Sequence, residues 1–122
     1  MSMENQDNAV PVATDQKHDF KRTLLQKSAA PVDGWLIEQT LVEIPEGVAS
    51  GRHTHPGPEV GYIIQGDVSM EFDDGEPLEL HAGSPFLIPP GVVHNAVNVG
   101  TLTTKMLSTY FIVGTEPLVT TY

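Results

Sequence analysis

From Phe20 onward, short runs of apolar and β-branched residues alternate with clusters of glycine, proline and aspartate, a rhythm that predicts many short strands joined by turns. Strands are expected over residues 23–26, 35–44, 60–65, 68–73, 78–81, 85–88, 92–99 and 102–113. No segment carries a convincing helical period. The clearest unit is a hairpin across Asp73-Asp74-Gly75. Alternation puts Val68, Met70 and Phe72 on one face with Leu78 and Leu80, and turns Ser69, Glu71, Glu79 and His81 to the other. His81 is therefore expected to face solvent. In the last long run, Met106, Ser108, Tyr110 and Ile112 share one side and Lys105, Leu107, Thr109, Phe111 and Val113 the other. Both sides are largely apolar, so this strand is expected to be covered, either by a second copy of the chain in a homodimer or by the chain's own N-terminal segment.

Residues 1–19 are polar, without apolar period, and are expected to form a flexible arm ahead of a single barrel domain over residues 20–122. His18 lies in that arm and reads as an ordinary surface residue. A chain of 122 residues with eleven glycines and ten prolines suits one turn-rich, all-β domain.

Charge narrows the partners. The formal net charge is −10, from sixteen acidic against six basic residues. Residues 1–27 cancel, four acids against four bases, so residues 28–122 hold the whole excess, with Arg52 and Lys105 their only cations. Such a surface repels phosphate backbones and anionic bilayers, so neither nucleic acid nor membrane is an expected partner. No apolar run is long enough to span a bilayer and the first twenty residues lack the apolar block of a secretion signal, which predicts a cytoplasmic protein. With no cysteine, any metal must be held by nitrogen and oxygen.

Candidate ligands of that kind are present. His53 and His55 stand two apart, so an extended backbone sends both imidazoles to one side, and the Pro56-Gly57-Pro58 turn starts the next strand near Glu59. The Pro89-Pro90-Gly91 segment has the order of a type II turn and sets up a distant strand from which His94 can add a third imidazole. On that strand His94 shares its face with Ala96 and Asn98, and the small alanine leaves room for a ligand. A lone histidine is usually a packed or surface residue. Four spaced candidates are harder to dismiss.

With the glycines and prolines included, the sequence resembles the cupin superfamily. Gly47, His53, His55, Glu59 and Gly66 match the intervals of the first cupin motif, and Gly83, Pro89, Gly91, His94 and Asn98 those of the second, with sixteen residues between the motifs. The resemblance covers residues 47–98 and implies a double-stranded β-helix, or jelly-roll cupin barrel, holding one divalent transition metal ion (Fe, Mn, Ni, Zn, Cu or Co) through His53, His55, Glu59 and His94. It further implies a quercetinase-like, metal-dependent dioxygenase acting on a small enolic or aromatic compound, with Glu59 as ligand and general base. Phe86, Met106, Ser108 and Tyr110 are candidate substrate walls, with core packing the better reading of Phe86 and Met106. A non-enzymatic or sensory small-molecule-binding cupin and a metal-dependent isomerase or lyase are the alternatives, because fold alone does not decide activity.

Overall fold

Strict in-and-out alternation organises the barrel seen in the computed structural model, which describes residues 20–122. Ten strands occur among these residues: β1 (Lys21–Ala29), β2 (Trp35–Ile44), β3 (His53–Thr54), β4 (Glu59–Gln65), β5 (Asp67–Phe72), β6 (Leu78–His81), β7 (Pro85–Ile88), β8 (His94–Asn98), β9 (Thr104–Val113) and β10 (Thr120–Thr121). They form two five-stranded antiparallel sheets, ordered β1-β2-β9-β4-β7 and β10-β3-β8-β5-β6. From β2 the chain repeatedly passes between the sheets, the winding of a double-stranded β-helix. The expected arm and His18 lie outside the described residues. No helix of the described residues is long and apolar enough to cross a membrane.

The inner faces close on a core of Val42, Ile44, Ile63, Val68, Met70, Leu80, Phe86, Ile88, Ala96 and Met106. Burying one such side chain contributes about 1.5–3 kcal/mol, so this cluster supplies much of the drive to fold. Every second residue of β9 is buried, from Thr104 to Ile112. β9 is the central strand of its sheet, between β2 and β4, and neighbouring strands half-shield its outer residues. Phe111, for example, packs on Trp35 with ring centroids 4.9 Å apart.

Phe86 takes the core role that packing favoured: its ring fills the space beside Gly61, where an added Cβ would fall 2.0 Å from the ring. Several sequence expectations are corrected. Leu78 is 42% exposed, although alternation turned it inward, because β6 is the outermost strand of its sheet and Leu78 its first residue. Ser69, expected outward, is buried and its hydroxyl donates to Glu79. β1 runs beyond residues 23–26 in both directions, through a bulge between Leu24 and Gln26. His81 is exposed as expected, paired with Asp67.

Candidate metal centre

The two halves of the site come from different sheets. His53 on β3 stands directly opposite His94 on β8, so their side chains leave the same face of one sheet. Glu59 opens β4 in the other sheet, flanked by Tyr110 on β9 and Ile88 on β7. Between them, β3 ends at Thr54, and His55 lies just past it at the start of the Pro56-Gly57-Pro58 turn. Gly57 seats that turn against β9: a Cβ there would fall 1.7 Å from the Phe111 carbonyl oxygen, so no larger residue fits. At Pro89-Pro90-Gly91 the expected type II turn forms, with Gly91 at φ 73° and the Val92 amide donating to Pro89. The Gly91 amide donates to the His55 carbonyl at 3.0 Å, tying the two motifs together.

Each imidazole is oriented by a main-chain carbonyl. The Nδ1 atoms of His53, His55 and His94 lie 2.7, 2.8 and 2.9 Å from the carbonyl oxygens of Gly51, Leu118 and Val92. A carbonyl only accepts, so each Nδ1 carries a proton and each Nε2 is the nitrogen left to face the other rings. The rings converge, with centroids 4.2 Å apart for His53 and His94, 4.8 Å for His53 and His55, and 5.1 Å for His55 and His94. One ligand atom from each of the three lies within 4.8 Å of the others. Glu59 Oε1 sits 3.2 Å from His55 Nε2 and 3.4 Å from His94 Nε2, and its Oε2 accepts from the Tyr110 hydroxyl at 3.5 Å.

These contacts leave an imbalance. His55 Nε2 and Glu59 Oε1 are buried without a hydrogen-bond partner among the described residues, despite their proximity. A buried imidazole nitrogen and a buried carboxylate oxygen without hydrogen-bond partners are costly unless a cation, a proton or a metal ion, sits between them. Burial pushes the His53 imidazole down to about 4, against a smaller upward pull from the Gly51 carbonyl. Burial would raise the Glu59 carboxyl, but its contacts with His55, His94 and Ser108 together outweigh it and hold Glu59 well below the usual carboxylate range. Burial, and then Glu59, push Tyr110 up to about 12, so its hydroxyl stays a donor. Imidazoles with second-sphere carbonyl partners suit a divalent ion, and His53, His55 and His94 form a group that can hold one.

The three histidines thus converge, with Glu59 in contact with two of them, His55 and His94. Asn98, the last residue of the second motif, does not face this site: its amide nitrogen donates to the Ile44 and Leu102 carbonyls and its oxygen accepts from the Gly100 amide, so it fastens strand ends. Beside the histidines is a cavity of about 10 Å³ walled by Val42, Met70, Ala96 and Met106, with Ser50 and Arg22 as its polar members besides the site residues themselves. The sequence reading missed Arg22. Placed opposite Val42 on β1, it is one of three cations on that strand, and nothing local distinguishes it from Lys21 and Lys27.

A small jelly-roll barrel with an inward tri-histidine group and an adjoining buried carboxylate defines the class. The protein-family model described as the cupin domain matches residues 40–110, more than half of the chain, and the protein belongs to that family. No curated protein matches by sequence. Among solved structures, a cupin superfamily protein from Desulfitobacterium hafniense is similar with a TM-score of 0.62 at 20% identity over 84% of both chains. An uncharacterized conserved protein with a double-stranded β-helix domain from Klebsiella pneumoniae gives 0.64 at 20% over 83% of both. An oxalate oxidase in complex with the substrate analogue glycolate gives 0.61 at 23%; the match covers 69% of this chain but only 45% of that one.

Proposed function

We propose that the protein is a metal-dependent, dioxygenase-like enzyme acting on a small enolic or aromatic compound, with His53, His55, Glu59 and His94 ligating one divalent transition ion. The observation that carries this reading is the convergence of the His53, His55 and His94 rings, with Glu59 Oε1 against His55 and His94 and with His55 Nε2 and Glu59 Oε1 left without a hydrogen-bond partner among the described residues. Imidazole and carboxylate suit Fe, Mn, Ni, Zn, Cu or Co, and four protein ligands leave open positions on ions that take five or six. When bound, the ion supplies a Lewis-acidic centre and, for the redox-active metals, an electron-transfer partner for the substrate.

The chain's own residues do the rest. Carbonyls of Gly51, Leu118 and Val92 fix the rings. Tyr110 holds Glu59 Oε2, so the carboxylate is divided between the histidine side and the tyrosine side. Glu59 serves as general base once it detaches from the ion, and the apolar walls of Val42, Met70 and Met106 keep bulk water out. An oxalate oxidase and an oxalate decarboxylase are among the similar folds, which supports a catalytic reading over a purely binding one. On the outer face, Val60, Tyr62, Ile64 and Leu87 are each about half exposed, which supports a homodimer; sedimentation at micromolar concentration checks it.

Elemental analysis of the purified protein comes first, followed by dioxygen uptake with flavonols, catechols and 1,3-diketones after loading Fe(II), Mn(II), Ni(II) or Cu(II). Uptake with at least one pair is expected. A metal-loaded protein that consumes no oxygen with any of them rejects the dioxygenase and leaves a lyase, an isomerase or a binding protein.

A further inference from the structure

Arg22 reaches into the candidate metal centre from β1, outside both motifs. Its Nη2 lies 3.4 Å from His53 Nε2, the lone pair that faces the other histidines. Its Cζ sits 4.8 Å from the centroid of the Phe20 ring, a cation–π contact that steadies the guanidinium at the cavity mouth. Among the described residues it makes no ion pair, whereas Lys21, Lys27 and Arg52 each meet a carboxylate, and its buried Nε has no hydrogen-bond partner.

This placement has a consequence once the imidazoles are occupied. A guanidinium has only donors and does not lose its charge. Of the acceptors near it, the Tyr110 hydroxyl and the His53 Nε2 lone pair, the second is the one a metal ion takes. Metal binding therefore strips Arg22 of that acceptor and puts a second cation beside it, with Glu59 the one carboxylate in contact with the histidines among the described residues. The site is left with a formal excess of roughly two positive charges in a low-dielectric setting. An incoming anion relieves both deficits, giving the guanidinium an acceptor and the site its counter-charge. The cavity, at about 10 Å³, admits about one water molecule, which favours a small ligand.

We propose that Arg22 is the specificity-determining residue of the site and selects a small anionic oxygen ligand, a carboxylate or an enolate, held between the metal and the guanidinium. This rests on the metal reading above and adds the charge of the substrate to it. The test uses the full chain loaded with Co(II), whose visible absorbance reports ligands entering its coordination sphere. Wild type, Arg22→Gln and Arg22→Lys are titrated with acetate, glycolate and the enolate of acetylacetone, and with neutral ethylene glycol as control. Wild type is expected to bind the anions and not ethylene glycol. The acetate and acetylacetone arms tell carboxylate from enolate. Arg22→Gln should keep its Co(II) content by elemental analysis and its melting temperature, yet bind the anions about ten- to a hundredfold more weakly, as expected for loss of a charge-assisted pair. Arg22→Lys, a point charge without the planar fork, should fall between them. Equal anion affinity in wild type and both variants overturns the role of Arg22 while leaving the metal centre standing, and so does binding of ethylene glycol as tight as that of the anions. Failure of wild type to take up Co(II) overturns the metal reading and this one with it.

Discussion

Acid should weaken the metal-free protein in a way that traces to His53. Burial holds this imidazole at about 4, against 6.5 for an ordinary histidine. Between those two values the unfolded chain binds a proton at His53 and the folded chain does not. The stability contribution is therefore complete above pH 6.5, is lost as pH falls toward 4, and does not change further below that. Integrated from about pH 7.5 to about pH 5, the loss is about 2 kcal/mol, or about 1 kcal/mol if solvent screening halves the shift. Glu59, held below its ordinary 4.5, adds its own loss only at more acid pH, so the chosen window separates the two groups. Urea unfolding of the chelator-treated protein, read by the fluorescence of Trp35, the single tryptophan, measures this directly. With a slope of about 1–2 kcal/mol per molar urea, the midpoint should drop by about 1 M between the two pH values. In His53→Gln the drop should shrink by the His53 share. An unchanged wild-type midpoint, or a variant that keeps the full pH dependence, refutes the argument that this ring is held neutral by burial.

Other expectations concern the ligands and the scaffold that holds them. Divalent metal at about a hundred times its dissociation constant should stabilise the fold by about 2.7 kcal/mol, roughly 10 °C in melting temperature. His55→Ala should lose both the bound metal and that increment, as thermal melts with and without metal will show. Gly57→Ala should cost at least about 3 kcal/mol or prevent folding, because the new methyl would overlap the Phe111 carbonyl oxygen at 1.7 Å; soluble yield and the urea midpoint report it. Asn98→Ala should destabilise by about 2–4 kcal/mol through three lost hydrogen bonds, two of them donated by the side-chain amide to the Ile44 and Leu102 carbonyls. Metal stoichiometry of whatever Asn98→Ala protein remains folded should equal wild type.

The residues legible in the sequence are those whose geometry has a local cause. Gly91 is readable because a turn with proline before it demands the positive φ it adopts, and the turn in turn places His94. Gly57, between two prolines, marks the reversal that brings Glu59 back to the histidines. Alternation grouped Met106, Ser108 and Tyr110 on one face of β9, because a central strand obeys its period along its whole length, but with both faces apolar it did not say which one faces inward. It failed at Leu78, where the open edge of the sheet overrides the pattern. What stayed illegible was set by partners remote in the chain. The carbonyl that orients His55 belongs to Leu118, sixty-three residues away, and a main-chain acceptor leaves no mark on side-chain identity. β10 is two residues long and exists because β3 offers it an edge. Arg22 is thirty-one residues from His53 and enters through the pairing of β1 with β2, outside every spacing that signals metal ligands. This division has a physical basis. Ligands and turns must keep a common frame to hold a cation at all, so their spacing is rigid and shows as a motif. The group that chooses what meets the cation needs only to reach the cavity mouth, and any strand passing there can supply it. A motif of this kind therefore defines the metal-holding frame, and specificity has to be sought in side chains such as Arg22 that the motif does not constrain.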